Sequence, residues 1–136
     1  MRIIDIQATA KSPKVIFDPE NRLFEMQGNS RPENVRDFYY PIINKFKTYF
    51  EAASEAERQD EFKDKPIRFN FRLDYFNSSS AKFISDILLL INEYHGKGFN
   101  LKVYWYFEDG DEDMKEVGED FSEMVNFPFN YVMVQR

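Results

Sequence analysis

The feature that most constrains the fold is a change of hydrophobic period at residues 77–80. Before it, residues 67–76 alternate apolar and polar side chains, as a half-buried strand does. After it, the apolar residues in 81–94 recur at the spacing of a helix that packs on a core. Residues 77–80 are Asn-Ser-Ser-Ser, which are favoured helix-capping types. The sequence therefore predicts a strand that turns directly into a helix, with hydroxyl groups at the helix start.

The rest of the chain alternates in the same way. Two strand-like segments, residues 14–17 and 22–26, flank a turn-like segment and predict a β-hairpin. Helical spacing then alternates with strand-like segments as far as the closing strand at residues 129–134. Strands separated by single helices are typical of a mixed sheet. We predict an α/β fold in which residues 1–136 form one domain, with an N-terminal hairpin and about three helices packed on a mixed β-sheet.

Local signals refine the element ends. Residues 99–107 are apolar on both faces beyond Val103, which predicts a central strand. Ser30 and Glu33 form a Ser-x-x-Glu pattern that predicts a capping box for the first helix, with Pro32 in its first turn. Pro41 lies inside this helix and predicts either a kink or a helix that is regular only from Pro41 onward.

Composition excludes several classes of function. The chain has no cysteine, which excludes disulfides, thiolate zinc sites and cysteine nucleophiles. Its formal net charge of -6 disfavours binding to nucleic acid and to anionic membranes. The first residues do not form a signal peptide, and no apolar run is long enough to span a bilayer. We expect a cytoplasmic protein with protein partners.

Catalytic and metal sites find little support. The single histidine, His95, lies at the far end of the same helix as Ser79, roughly 24 Å away at about 1.5 Å per residue. That distance excludes a histidine-dependent triad. The acidic residues 108–113 do not fit an EF-hand loop and are typical of a loop that leads into the first turn of a helix. We expect no catalytic residue, no metal and no cofactor.

Two further patterns have ordinary structural interpretations. Arg68 and Arg72 share one face of a strand and could hold an anion, but such residues more often pair with a nearby carboxylate such as Asp74. Residues 104–107 are aromatic and are expected to contribute to the core and to one exposed face. A small enzyme that uses Asp74, Arg72 and a serine is a separate hypothesis, although no base–nucleophile pair at credible spacing supports it.

The serine run itself has two interpretations. Asn and Ser residues fix a helix start without any further function. Alternatively, one serine accepts a phosphate or contacts a partner, because the positive end of a helix favours negative charge. The residues alone favour the cap and leave both interpretations open.

The chain also resembles a known family. The matching segments keep the same order along nearly the whole chain, at residues 28–34, 73–82, 103–106, 108–114 and 127–129. They include the patterns Gly-x-Ser-x-Pro-Glu-Asn and Tyr-Phe-Asn-x-Ser-Ser-x-Lys. In these segments the chain is similar to the bacterial SiaC-type regulatory phosphoproteins. The resemblance implies a fold like that of the STAS-type anti-sigma-factor antagonists.

The resemblance also implies a non-enzymatic role in partner switching. In this family a serine/threonine kinase phosphorylates the protein, a PP2C-type phosphatase reverses the modification, and the unphosphorylated form binds and activates a diguanylate cyclase. The phosphoacceptor directly follows the asparagine of the serine motif. Here that position is Ser78, a serine in place of the family's threonine, which keeps the hydroxyl group.

Other residues are expected to surround this phosphoacceptor. The neighbours expected to shape the site or contact a partner are Asn77, Ser79, Ser80, Lys82 and Asp74. A second candidate interaction motif comprises Ser30, Pro32, Glu33 and Asn34. The alternative is a constitutive interaction module of the same fold, in which the serine run is only a helix cap.

Overall fold

Six strands form one sheet, and their order across the sheet is their order along the chain. The computed structural model describes residues 1–135. The strands are β1 (Ile4–Ile6), β2 (Lys14–Asp18), β3 (Leu23–Ser30), β4 (Ile67–Phe76), β5 (Leu101–Glu108) and β6 (Phe129–Val134). The helices are α1 (Val35–Glu55), α2 (Ser78–Gly96) and α3 (Glu112–Val125), and short 3-10 turns occupy Pro19–Asn21 and Gln59–Phe62.

The direction of the strands places all three helices on one side. β1, β2 and β3 pair antiparallel, whereas β3, β4, β5 and β6 pair in parallel. Each parallel connection contains one helix, and such crossovers are nearly always right-handed. Because the strand order always advances in the same direction, every crossover passes over the same face of the sheet. The opposite face, which we call the open face, is left to the solvent.

The core lies between the sheet and the helices. On β4, Phe69 and Phe71 are fully buried, whereas Arg68 and Arg72 on the other side of the strand are exposed. Much of the core is a cluster of aromatic rings with centroids 4.8 to 6.3 Å apart, formed by Phe17, Phe24, Phe46, Phe50, Phe69 and Tyr94. Burying each such side chain stabilises the fold by about 1.5–3 kcal/mol, which fixes the face that each strand turns inward.

The predicted architecture is confirmed. The hairpin of β2 and β3, the long strand β4 and the mixed α/β sheet with three helices are all present. The position of β5 inside the sheet is also confirmed, as is the expectation that residues 104–107 contribute to the core and to one exposed face. Tyr104 and Tyr106 lie on the open face and are only half-buried, so β5 alternates like a strand with one solvated side.

The predicted start of the first helix is wrong. Asn34 is the N-cap of α1, because its side-chain oxygen accepts a hydrogen bond from the Asp37 backbone N–H at 3.2 Å. Ser30 is the last residue of β3 and pairs with Phe76, so Ser30 does not form a capping box with Glu33. Pro32 accordingly precedes the helix.

The structure excludes one of the two forms expected for α1. The helix runs without interruption from Val35 to Glu55, so it is not confined to the residues after Pro41. Among residues 1–135, no helix has both the length and the apolarity needed to cross a membrane.

Gly118 of α3 packs directly on Trp105, which provides a test of the core. A Cβ atom on Gly118 would lie 2.6 Å from the Trp105 Nε1 atom. Trp105 cannot retreat easily, since it is buried and donates its Nε1–H to the Met114 carbonyl oxygen at 2.9 Å. We expect Gly118→Ala to lower the free energy of unfolding by about 1–3 kcal/mol, as overpacking does, in urea denaturation.

Gly96 supplies the matched control. It is the last residue of α2, and nothing lies within 4 Å of a Cβ atom placed there. Gly96→Ala should therefore change the unfolding free energy by less than about 0.5 kcal/mol or raise it slightly. Equal losses in the two variants would contradict the packing argument.

Candidate functional site

The site is built where β4 ends and α2 begins. Asn77 is the N-cap of α2, and its Oδ1 accepts a hydrogen bond from the Ser80 backbone N–H at 2.9 Å. The Asn77 backbone N–H donates to the Ser30 carbonyl oxygen at 3.1 Å, which attaches this corner to the end of β3. The predicted strand-to-helix transition is thereby confirmed, and Ser78, Ser79 and Ser80 form the first residues of the helix.

The three serines have different environments. Ser78 and Ser79 are exposed, whereas Ser80 is 0% exposed. The Ser80 hydroxyl donates to the Ser30 carbonyl oxygen at 3.0 Å. Solvent therefore reaches Ser78 and Ser79 in the folded protein, but it reaches Ser80 only after local opening.

Beneath the exposed serines lies a buried hydroxyl network, formed by Ser30, Ser80 and Tyr39. The Ser30 hydroxyl donates to Ser80 Oγ at 2.8 Å, and Tyr39 OH lies 2.5 Å from Ser30 Oγ. Because the Ser30 proton is committed to Ser80, the Tyr39 phenol donates to Ser30. The network joins β3, α1 and α2, and it holds the first turn of α2 in place.

Tyr39 is the most deeply buried phenol of this region. Burial raises its pKa to about 12, and the hydrogen bonds to Ser30 and Ser80 partly oppose that shift. Its ring also stacks on Phe83 of α2, with centroids 5.5 Å apart and an interplanar angle of 3°. The phenol is therefore neutral at physiological pH and acts as a hydrogen-bond donor.

The N-terminus of α2 lacks the acidic residues that the other helices carry. α1 has Asp37 in its first turn and α3 has Glu112 and Asp113, whereas the first turn of α2 has no acid. The positive end of the α2 dipole is thus not offset by a side chain. Lys82 adds a cation one turn further on, where its Nζ lies 3.2 Å from Asp86. This corner of the molecule can accommodate added negative charge.

An apolar groove begins next to the site, between α1 and α2. We call it the α1–α2 groove, and it has a volume of about 470 Å³. Its apolar lining comprises Tyr40, Ile43, Phe83, Leu89 and Leu90, and its polar lining comprises Asn44, Lys47, Lys82, Asp86 and Glu93. Tyr40 and Leu89 are 49% and 48% exposed, so the groove presents apolar surface to the solvent. The groove reaches the site at Lys82, which is one helical turn from Ser78.

The other predicted site residues are dispersed. Asp74 is exposed on β4. In the second motif, Ser30 belongs to the buried network, Glu33 forms an ion pair with Lys11 at 3.1 Å, and Asn34 caps α1. Neither Ser30 nor Ser80 presents side-chain surface to a partner.

The catalytic hypothesis gains no support from the geometry. His95 lies in the last turn of α2, where its ring contacts Phe127 with centroids 5.2 Å apart. The cavity that contains Arg72 and Asp74 is lined by no described serine. The acidic run behaves as expected: Asp111 caps α3 by accepting from the Met114 backbone N–H at 3.0 Å.

The expected pairing of the β4 arginines with Asp74 is wrong. Within residues 1–135 neither arginine forms an ion pair. Instead, the Arg68 guanidinium carbon lies 3.9 Å from the Tyr104 ring centroid, and that of Arg72 lies 5.9 Å from the centroid of Tyr106. The neighbouring strand supplies aromatic faces that attract guanidinium groups.

Comparisons with known proteins place this geometry in a family. Residues 6–134 match the SiaC family of regulatory phosphoproteins. The chain belongs to the SiaC family. An uncharacterised protein of Pseudomonas aeruginosa (strain UCBPP-PA14) is 30% identical over 129 residues, which cover 95% of this chain and 94% of that protein.

Solved structures of SiaC-family proteins have the same fold. The crystal structure of apo-SiaC from Pseudomonas aeruginosa superposes with a TM-score of 0.77 at 25% identity, covering 98% of each chain. The crystal structure of the diguanylate cyclase SiaD in complex with its activator SiaC, from the same organism, matches with a TM-score of 0.80 at 26% identity, covering 98% of this chain and 99% of that one. The SiaC fold is thus shared over nearly the whole chain, as the sequence resemblance implies.

The buried network predicts different effects for adjacent serines. Ser80→Ala removes both a donor to the Ser30 carbonyl oxygen and the acceptor of the Ser30 hydroxyl proton, so two buried hydrogen bonds are lost. We expect the unfolding free energy to fall by about 1–3 kcal/mol in urea denaturation. Ser79→Ala, at an exposed position of the same turn, should change it by less than about 0.5 kcal/mol. Similar values for both variants would argue against the network.

The Tyr39 phenol predicts a loss of stability in alkali. Its folded-state pKa of about 12 lies above the ordinary value of 10.0, so its contribution is complete below pH 10 and is lost as the pH rises toward 12. Between pH 10 and pH 12 the unmodified protein should lose about 2–3 kcal/mol of unfolding free energy through this phenol, and Tyr39→Phe should not show that loss. Tyr40→Phe, at the adjacent exposed position, is the control and should keep the original slope. An unchanged slope in Tyr39→Phe would contradict the assignment.

Proposed function

We propose that this protein is a non-enzymatic regulatory phosphoprotein whose unphosphorylated form binds and activates a diguanylate cyclase, and that reversible phosphorylation of Ser78 controls the binding. The observation that carries the proposal is the exposed Ser78 hydroxyl at the start of a helix that has no acid in its first turn. Membership of the SiaC family supports the regulatory role. The Pseudomonas aeruginosa SiaC, described as an activator in complex with the cyclase SiaD, supports the choice of partner.

The fold should tolerate the modification. A phosphate on serine adds about -1.5 to -2 charges at neutral pH. At Ser78 this charge meets the positive end of the α2 dipole and lies one helical turn from Lys82. The buried hydroxyl network lies on the other side of the turn and does not involve the Ser78 side chain. The two forms of the protein therefore need not differ in backbone structure.

A bound partner would experience the same charge very differently. We propose that the cyclase covers Ser78 together with the α1–α2 groove, in which an amphipathic helix would bury Tyr40 and Leu89. A phosphate at the end of that interface must lose water where the partner offers it no compensating donor. Such a desolvation costs several kcal/mol, which corresponds to orders of magnitude in affinity.

Further parts of the proposal rest on the family alone. They are a dedicated serine/threonine kinase, a PP2C-type phosphatase that reverses its action, and a cytoplasmic location in which residues 1–136 act as one regulatory domain. The alternative remains a constitutive interaction module. The hydrogen bond from Ser80 N–H to Asn77 Oδ1 favours that alternative, because it caps α2 without any modification.

Phosphoserine placed at a single position tests the switch. Protein with phosphoserine at residue 78, made by genetic code expansion, should bind the diguanylate cyclase of its own cell about 100-fold more weakly than unmodified protein, because of the added charge. Binding is measured by titration calorimetry, and cyclic di-GMP formation reports activation. Circular dichroism should show the same fold in both forms.

Phosphoserine at residue 79 is the matched control. It has the same charge, but it projects about 100° further around the helix. It should weaken binding much less than phosphoserine 78. The reverse order would move the switch to Ser79, and full binding by both modified forms would favour the constitutive module. Absence of binding by the unmodified protein would reject the cyclase as the partner.

A further inference from the structure

Lys82 lies between the proposed phosphoacceptor and a carboxylate of the α1–α2 groove. Ser78, Lys82 and Asp86 follow one another at four-residue spacing along α2. Side chains four residues apart are neighbours on a helix surface, so Lys82 can reach either of the other two. In the structure it contacts Asp86, whose Oδ2 atom lies 3.2 Å from the Lys82 Nζ atom. Unmodified Ser78 has no charge and does not compete for the ammonium group.

The ion pair between Lys82 and Asp86 is easily exchanged. The Lys82 side chain is 71% exposed and that of Asp86 is 40% exposed, and surface pairs of this kind contribute little to stability. The order of the two residues is also the weaker one, because a helical pair is stronger when the acid precedes the lysine. Within residues 1–135 neither side chain forms a second ion pair.

A phosphate on Ser78 has three advantages over Asp86 as the partner of Lys82. It precedes the lysine by four residues, which is the favoured order. It has about -1.5 to -2 charges at neutral pH, whereas a carboxylate has one. The first turn of α2 contains no acid that could occupy Lys82 before the phosphate arrives. The phosphate should therefore draw the ammonium group away from Asp86.

We propose that Lys82 exchanges partners when Ser78 is phosphorylated, so that Asp86 is left without a counter-ion in the α1–α2 groove. The inference rests on the proposed function, because it requires a phosphate at Ser78. The charged lining of the groove consists of two cations, Lys47 and Lys82, and two acids, Asp86 and Glu93. The exchange withdraws one cation from this balance and gives the groove a net negative charge.

The exchange extends the effect of the phosphate further along α2 than its charge could act directly. Asp86 is eight residues beyond Ser78, roughly 12 Å at about 1.5 Å per residue. Exposed charges this far apart are largely screened, since the Debye length is about 8 Å at physiological ionic strength. A partner that covers the groove must instead desolvate a carboxylate that has lost its counter-ion, which opposes binding. That carboxylate lies one turn before Leu89, whose side chain is exposed in the groove.

The first test measures the phosphate itself and needs no cyclase. In protein with phosphoserine at residue 78, phosphorus NMR follows the second ionisation of the phosphate, whose pKa is ordinarily about 6. A lysine partner favours the dianion, so Lys82→Gln should raise this pKa by about 0.3–0.6. Lys47→Gln removes an exposed lysine of the same groove from α1 and should raise it by less than about 0.1. Equal changes in the two variants, or none in Lys82→Gln, would overturn the proposal.

The second test follows the Asp86 carboxyl carbon by carbon-detected NMR, with Asp86→Asn protein to assign its signal. Phosphoserine at residue 78 should move this signal toward its position in unmodified Lys82→Gln protein, because both forms lack the ion pair. In the Lys82→Gln background the same phosphate should hardly move it. Equal movement in both backgrounds would show that the phosphate acts on Asp86 without Lys82, which contradicts the exchange.

The two proposals fail separately. Both NMR results can be obtained even if the cyclase binds the two forms equally, in which case the exchange stands and the proposed switch of cyclase binding is rejected. Conversely, weaker cyclase binding by the phosphorylated protein together with an unmoved Asp86 signal would keep the switch and reject the exchange.

Discussion

The parallel pairing of β3 with β4 is the constraint on which the site depends. It brings Ser30 beside Phe76 and beneath the first turn of α2. The Ser30 carbonyl oxygen then accepts hydrogen bonds from both the Asn77 N–H and the Ser80 hydroxyl. Without this pairing the buried hydroxyls would have no partners, and the exposed serines above them would have no fixed position. The positions of the serines are therefore fixed by the pairing of β3 with β4 and not by the serine residues alone.

The parts of the structure that depend on neighbouring residues could be predicted from sequence. The alternation along β4 and the helical spacing of α2 are local patterns, and both elements appear where these patterns place them. The role of Ser30 could not be predicted, because it depends on a pairing between residues far apart in the chain. The sequence pattern predicted Ser30 as a helix cap, but Ser30 pairs with Phe76 in the sheet and Asn34 caps the helix instead.

The same distinction explains the error on the open face. The sequence indicated that residues 104–107 contribute to the core and to one exposed face, but it did not indicate which side chains contact Tyr104 and Tyr106 there. In the fold, arginines from β4 lie over these rings and leave the phenols partly solvated. For the same reason the arginines do not pair with Asp74 on their own strand. A pattern along one strand contains no information about the side chains of the next strand.

The three helices differ in whether their first turn contains a carboxylate. α1 and α3 begin with carboxylates that offset the helix dipole, and α2 begins with hydroxyls alone. Although the chain is rich in acidic residues, the first turn of α2 contains none. Any charge added there by modification meets little repulsion from its own turn.

The order of the strands has a consequence for how the chain folds. Because each strand pairs only with the strands next to it in sequence, no pairing has to close a loop longer than one helix and its connections. The entropy lost on closing such loops rises with their length, and folding rates fall as contacts become less local. The chain can therefore assemble one strand–helix unit at a time from the hairpin onward. Its parallel sheet should fold faster than parallel sheets whose central strands come from distant parts of the sequence.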